Sequence, residues 1–423
     1  MKQYHYPQLN EILYRDQLPN GLQIAVLPRP GFQKKLCYFV TDFGSIHSDF
    51  VMDGEPVHAP AGVAHYLEHK LFDMPGRDIS EEFAALGANV NAFTSYDLTA
   101  YYFTCTDHFR DCLALLLEFV STPYFTEESV AKEQGIIGQE IDMNIDSPDT
   151  QIFERLAKAM YRNHPINTPI LGTRESIAQI TPQVLSKCHK AFYRPGNMLL
   201  CVVGDVDPDE VRSTALSCLS QDPGPQVEVN RHWSEQMQVE KHFVSIRMDV
   251  AMPTFQLGFK AEHLDRGEEA VRREIIGDLA AEVLFGESSE LYLRLYEKGI
   301  IDSSFGGGYD TVEGMSMLSA SGDSDDPQAV LEAILEQAQV LDSIPEEDFL
   351  RMKRSAMGRR LRGLDSFDST CFRICAYHFS EFDYFRFPGV YETVKSEDIL
   401  QFIRQTVTRE RACLCVIYPN EED

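Results

Sequence analysis

Apolar and polar residues alternate from Gln23 to Leu27, directly after Leu18-Pro19-Asn20-Gly21-Leu22. An Asn-Gly turn ahead of an alternating run predicts a hairpin. A second strand is expected at about 35–43, residues 44–54 read as turn-rich, and Pro60-Ala61-Gly62 leads into a helix carrying residues 65–69. A short helix is expected over 80–86, with Ser80 as N-cap and Gly87 as its stop. Residues 88–95 and 99–105 read as two strands joined by a turn at Tyr96-Asp97. Within 107–120, Leu113, Leu116, Leu117 and Val120 recur at helical spacing. Thr126-Glu127-Glu128 then caps a long helix expected to run to about Asn144, before a break at Asp146-Ser147-Pro148-Asp149. Two further helices are punctuated by 161–165 and 170–173, with His164 a turn residue beside a proline, and Phe192 to Asn197 opens an apolar strand over 198–203. Gly306-Gly307-Gly308 lacks the helix and lysine of a phosphate loop and reads as a flexible turn at a strand end.

At 423 residues the chain exceeds one ordinary core. Ser220-Gln221-Asp222-Pro223-Gly224-Pro225 is the best linker candidate, which predicts a domain over 1–220, a linker over 221–235 and a second domain over 236–423. The two halves echo each other. Thr126-Glu127-Glu128 and Asp146-Ser147-Pro148-Asp149 find counterparts in Pro345-Glu346-Glu347 and Asp365-Ser366-Phe367-Asp368 at one offset of 219 (345 − 126 and 365 − 146). That offset sets Glu133 on Met352, Glu140 on Arg359, and 65–69 on 284–288, again in a helical pattern. Ser95-Tyr96-Asp97 has an echo in Gly308-Tyr309-Asp310 at 213 (308 − 95).

Composition narrows the classes. A formal charge of −28 without a basic patch argues against nucleic acid as a partner. A solvated acidic surface is the plain explanation, and an acidic cavity for basic peptides is the sharper one. No run of about 18 apolar residues occurs and the N-terminal residues lack a leader pattern, so a soluble, cytoplasmic protein without a membrane partner is expected. The ten cysteines are scattered, many in apolar segments, and form no CxxC pair, which predicts reduced, buried thiols.

The candidate chemistry lies in His65-Tyr66-Leu67-Glu68-His69. On a 3.6-residue period His65 and His69 share a helix face, where both can bind one metal ion, and Glu68 stands beside them. Two imidazoles with a free carboxylate suit a hydrolytic zinc site, although two histidines on a solvated helix give the same string. Glu133 and Glu140, two turns apart, share a face that Ile136 and Ile137 mark as partly buried. The matched positions in the second half hold none of these side chains, which suggests that the four work as a set.

With these residues in place, the chain resembles the pitrilysin, insulinase and mitochondrial processing peptidase family of zinc metallopeptidases, the inverzincins, whose H-x-x-E-H motif reverses the zincin order. The resemblance rests on Leu18 to Leu22, Gly62 to His69, Asn91-Ala92-Phe93-Thr94, Glu133 to Glu140, Gly172-Thr173, and Arg194-Pro195 through Gly204-Asp205. It implies an α+β fold of two homologous halves, each an antiparallel sheet covered by helices, as in the metallopeptidase LuxS/MPP-like fold. It also implies a zinc-dependent endopeptidase in which His65, His69 and Glu140 bind Zn2+, Glu68 is the general base and Glu133 orients a ligand. Peptide substrates would add as a strand along Asn89, Asn91, Ala92, Phe93 and Thr94. Family members that act alone carry an arginine and, seven residues later, a tyrosine that stabilise the oxyanion. Here those positions fall near Tyr296 and near Asp302 or Ser303. Either Arg294 and Tyr309 substitute, or a partner chain supplies the pair, so a dimer with a zinc-less paralogue is expected. The rival reading is a non-catalytic structural or peptide-binding subunit of a processing complex.

Overall fold

In the computed structural model, residues 1–264 and 266–421 are described. They divide into two compact units, each assembled from three stretches of chain. Unit 1 takes Met1–Ile141, Pro169–Asn230 and Leu361–Arg386; unit 2 takes Asp142–Thr168, Arg231–Arg360 and the chain from Phe387 onward.

Unit 1 is built on a seven-stranded sheet: β1 (Lys2–Tyr6), β2 (Glu11–Gln17), β3 (Gln23–Pro28), β4 (Lys35–Thr41), β5 (Asn89–Thr94), β6 (Thr99–Cys105) and β7 (Met198–Gly204). Their order is β1-β2-β3-β7-β4-β6-β5. Unit 2 has five strands, β8 (Phe243–Met248), β9 (Thr254–Lys260), β10 (Gly306–Val312), β11 (Met315–Asp323) and β12 (Ala412–Pro419), in the order β8-β12-β9-β11-β10. Leaving out β1 and β2, both sheets run first, fifth, second, fourth, third. In both, the first and last of the five strands pair in parallel and the others antiparallel. The expected antiparallel sheets therefore each contain one parallel pair. The last strand returns beside the first only after the whole helical excursion of its unit, and a long crossover permits that direction.

Seven helices matter below: α1 (Val63–Leu71), α2 (Glu127–Ile145), α3 (Pro148–Met160), α4 (Glu268–Phe285), α5 (Glu290–Glu297), α6 (Glu346–Gly363) and α7 (Phe367–Phe379). The offset of 219 holds for both ends of the α3 and α7 pair (367 − 148 and 379 − 160) and for the starts of α2 and α6 (346 − 127). Ser147 and Ser366 cap α3 and α7 in the same way, each accepting the N–H three residues on. Each of these helices covers the other half's sheet. Helix α3 packs on β12 and β9, and α7 packs on β7 and β4, with Cys371 Sγ 3.9 Å from the Cys201 carbonyl of β7. Every residue of β7 is accordingly buried, as expected for a strand with both faces covered.

Several local expectations are corrected. The short helix spans Ile79–Ala85 and its N-cap is Asp78, not Ser80, because the extended Asp78 presents its carboxylate to the Glu81 N–H. Within 44–54 the chain forms a strand, Asp49–Met52, that pairs with Glu55–His58 and with Val227–Val229. Of the matched positions 284–288, only Leu284 and Phe285 are helical, since α4 ends there. The echo of 95–97 at 308–310 fails, because Tyr309 is mid-strand in β10 whereas Tyr96 and Asp97 lie in the β5–β6 turn. Gly306 to Gly308 belong to β10 rather than to a turn, and a Cβ at Gly307 would come within 2.3 Å of the Phe285 ring.

The thiols are unpaired, and all but Cys218 are buried. Among the described residues no helix is long and apolar enough to cross a membrane.

Candidate metal centre

The start of α1 is fixed by two glycines pressed against each other's loops. Gly62, at φ 91°, has room for no Cβ because Leu171 O would lie 2.4 Å from it, and Gly172, at φ 72°, meets Ala61 O at the same distance. The Ser176 hydroxyl ties down the Ala61 carbonyl at 2.8 Å. Val63, Ala64, Tyr66, Leu67 and Leu71 bury the other side of the helix, and the Tyr66 hydroxyl donates to Val130 O on α2. Helices α1 and α2 are thereby locked in register, with the histidines turned toward the glutamates.

His65 Nε2 lies 3.7 Å from Glu140 Oε1, and His69 Nε2 lies 3.6 Å from Glu140 Oε2. The two rings are 4.6 Å apart between centroids. His69 Nδ1 is 3.0 Å from Glu133 Oε1. The carboxylate accepts there, so the Nδ1–H donates and the lone pair of the neutral ring is left on Nε2, facing Glu140. Glu68 Oε2 accepts from the Thr94 hydroxyl at 2.6 Å. Glu133 is well covered and Glu140 about two-fifths exposed, so the cluster opens on the Glu140 side.

Burial, with a smaller contribution from His69, pulls His65 down to about 3, so its imidazole is neutral at physiological pH. Burial pushes the Glu68 carboxyl up, outweighing the Thr94 hydrogen bond and the His69 charge. For His69 burial acts downward, but the Glu133 hydrogen bond and the charges of Glu133, Glu68 and Glu140 together raise it.

This donor set fits a divalent metal ion. One ligand atom each from His65, His69 and Glu140 lies within 4.8 Å of the others. Tetrahedral bonds of about 2.0–2.1 Å place ligand atoms about 3.4 Å apart, close to the separations seen. The His69 Nε2 lone pair aimed at a carboxylate attracts it only if a cation or a proton stands between, and the carboxylates of Glu68, Glu133 and Glu140 gather around the two imidazoles.

The remaining predicted residues are distributed as follows. Asn89 to Thr94 form the edge strand β5, paired on one side only, with β6. Thr94 faces Glu68, while Phe93 points to the opposite face, among Tyr38, Tyr102 and Phe372. The Ala92 N–H donates to Asn91 Oδ1 at 2.8 Å. Arg294 lies on α5 and Tyr309 on β10, both in unit 2, where the Tyr309 ring stands edge-on to Phe402 at 5.6 Å. Arg294 Nη2 is buried without a hydrogen-bond partner. His164 is fully buried as the cap of a 3-10 turn, its Nδ1 accepting the Ile166 N–H. On α2, Ile137 is buried but Ile136 is 46 % exposed, so the two isoleucines do not share the glutamates' environment.

Behind Glu68 is a group of hydroxyls that the sequence did not single out. Thr99 Oγ1 donates to Phe43 O at 2.8 Å and lies 3.4 Å from Thr94 Oγ1. The Tyr193 hydroxyl stands 2.8 Å from the Tyr101 hydroxyl.

Residues 57–174 match the profile of the insulinase family, peptidase family M16, and residues 179–356 match that of the peptidase M16 inactive domain. The chain is 37 % identical to the uncharacterized zinc protease YmfH of Bacillus subtilis, over 99 % of both chains. It superposes on the crystal structure of a protein described as an M16-like peptidase from Alicyclobacillus acidocaldarius with a TM-score of 0.92 at 30 % identity, covering 97 % of this chain and 99 % of that one. A protease from Helicobacter pylori shares the fold, with a TM-score of 0.80 at 19 % identity over 96 % of this chain and 99 % of that one. The topology repeated in both halves and these matches along the whole chain agree: the protein belongs to the insulinase family of peptidases, M16.

Proposed function

We propose that the chain is a zinc-dependent endopeptidase, cytoplasmic, that cleaves extended or unfolded peptide segments bound along β5. The observation that carries this reading is the convergence of His65 Nε2, His69 Nε2 and the Glu140 carboxylate, with Glu68 on the same helix turn.

His65, His69 and Glu140 would hold the ion, and Glu133 would fix the ring of His69 through its Nδ1–H. The chemistry supplied by zinc there is Lewis acidity, which acidifies water and polarises a carbonyl. Glu68 takes a proton from the attacking water and passes it to the leaving amine. Its raised pKa suits both halves of that transfer, and burial is the main cause. The peptide pairs with the free edge of β5, where the Ala92 N–H exchanges Asn91 Oδ1 for a substrate carbonyl. Main-chain pairing of this kind selects extended backbone rather than sequence.

The oxyanion-stabilising pair is supplied by a second chain, a zinc-less paralogue, with which this chain forms a dimer enclosing the substrate. Supporting this, the expected positions carry Tyr296 and Asp302 or Ser303, and the Tyr309 ring is engaged with Phe402.

The test is peptide cleavage by wild type and Glu68→Gln, with the metal content of both measured. The expected result is cleavage lost by a factor of about 10²–10⁴ with metal retained. Cleavage that survives the substitution rejects the mechanism.

A further inference from the structure

We propose that Thr94 is a positioning residue for Glu68, braced by the buried Thr99 across the β5–β6 pair, and that it decides which oxygen of Glu68 carries the proton during peptide hydrolysis. This inference rests on the zinc peptidase reading above and adds a role to a residue so far placed only on the substrate-binding edge.

The hydroxyl protons of Thr99 and Thr94 can both be assigned. Thr99 donates to the Phe43 carbonyl at 2.8 Å and lies directly behind Thr94. With its proton committed to that carbonyl, Thr99 faces Thr94 with its lone pairs. Thr94 sits 3.4 Å from Thr99, and its own proton goes to Glu68 Oε2 at 2.6 Å. Thr99 is fully buried, so water does not compete for its hydroxyl. The brace is also covalently anchored: Thr94 ends β5, Thr99 begins β6, and the register pairs these two residues directly.

A glutamate has three rotatable bonds, and a general base must keep one oxygen aimed at the reacting atoms. The Thr94 donor fixes one oxygen and so sets the direction of the other. It also makes the two oxygens unequal. When Glu68 takes a proton from the attacking water, the O–H bond of the water breaks and its electron pair stays on the attacking oxygen. The new O–H forms on Oε1, since Oε2 already accepts the Thr94 hydrogen and is the less basic of the two oxygens. Oε2 then serves as the carbonyl-type oxygen of the neutral acid, still accepting from Thr94. The proton leaves Oε1 for the amine nitrogen as the C–N bond breaks, and the carboxylate is restored. Thr94 keeps its own proton throughout.

The experiment measures kcat and KM for cleavage of a quenched fluorescent peptide by wild type, Thr94→Val, Thr94→Ala, Thr94→Ser and Glu68→Gln, in the assembly that gives wild-type cleavage, with metal content determined for each. Thr94→Val and Thr94→Ala are expected to lower kcat by about 10–100-fold, as for a misplaced catalytic group. KM should stay within about twofold and metal content should not change, while Thr94→Ser, which restores the hydroxyl, should return kcat to near wild type. Because Val adds bulk and Ala removes it, a packing fault in one does not decide the result. Wild-type kcat in both hydroxyl-free variants overturns the inference. So does an equal loss in Thr94→Ser, or a loss carried by KM or by metal content, since each marks a structural or substrate-binding role. Cleavage that persists in Glu68→Gln overturns the peptidase mechanism itself, and is read separately from the Thr94 variants.

Discussion

The two units solve the same helix crossing in opposite ways. In unit 1, α1 and α2 face each other across His65, His69, Glu133 and Glu140. In unit 2, α4 and α6 occupy the matching places in the chain and face each other across Glu274, Asp278, Glu282, Arg359 and Arg360. Arg360 Nη2 reaches Glu274 Oε1 at 2.5 Å and Asp278 Oδ2 at 3.0 Å, and Arg359 Nη2 reaches Glu282 Oε2 at 3.0 Å. The acids recur every four residues along α4, as the histidines do on α1. At the offset of 219 fixed by the helix starts (346 − 127), Arg359 stands where Glu140 does. Unit 2 thus carries its bridging positive charge in its own side chains. Unit 1 offers carboxylates and imidazoles, a set that a bound cation would balance.

That contrast can be broken in four places. Removing a ligand with His65→Ala should abolish metal binding and lower cleavage by at least about a thousandfold, because several kcal/mol of transition-state stabilisation go with the ion; metal analysis and peptide assays on the same sample check it. The chain assayed without the paralogue should be slower by about 10²–10³, the cost of missing oxyanion donors, and full activity from the chain alone would remove the need for a partner. Arg360→Ala should leave the metal content intact yet destabilise unit 2 by about 2–3 kcal/mol, since Glu274 and Asp278 lose their partly buried counter-ion, and denaturant unfolding measures it. Glu133→Gln keeps an acceptor but loses the charge behind His69, and should weaken metal affinity by about 10–100-fold in a chelator competition.

Much of this contrast was legible before the structure, and for identifiable reasons. The histidine pair, the two glutamates and the α3/α7 repeat are local helical patterns, and spacing along one helix fixes a face. The strings at 146–149 and 365–368 were legible as a repeated pattern, the first as a helix break, and the structure shows that Ser147 and Ser366 in them cap the helices that follow. What stayed hidden is non-local. Strand order depends on pairing between distant segments, and the parallel pair in each sheet has no signal in either strand alone. The Asp78 cap was displaced by two residues because Ser80 and Asp78 are both good caps and only the backbone chooses between them. Ile136 and Ile137 read alike in sequence, yet one faces outward. The Thr94 to Glu68 bond joins a strand edge to a helix 26 residues away, and no periodicity predicts it. The acidic stripe of α4 had meaning only once Arg359 and Arg360 were seen opposite it.

The most direct test of the account is the zinc content of the purified chain, measured in parallel for wild type, His65→Ala and Arg360→Ala. One zinc per chain in wild type and in Arg360→Ala, with none in His65→Ala, is the predicted result. Zinc that persists without His65, or a folded wild-type chain that takes up none, would contradict it.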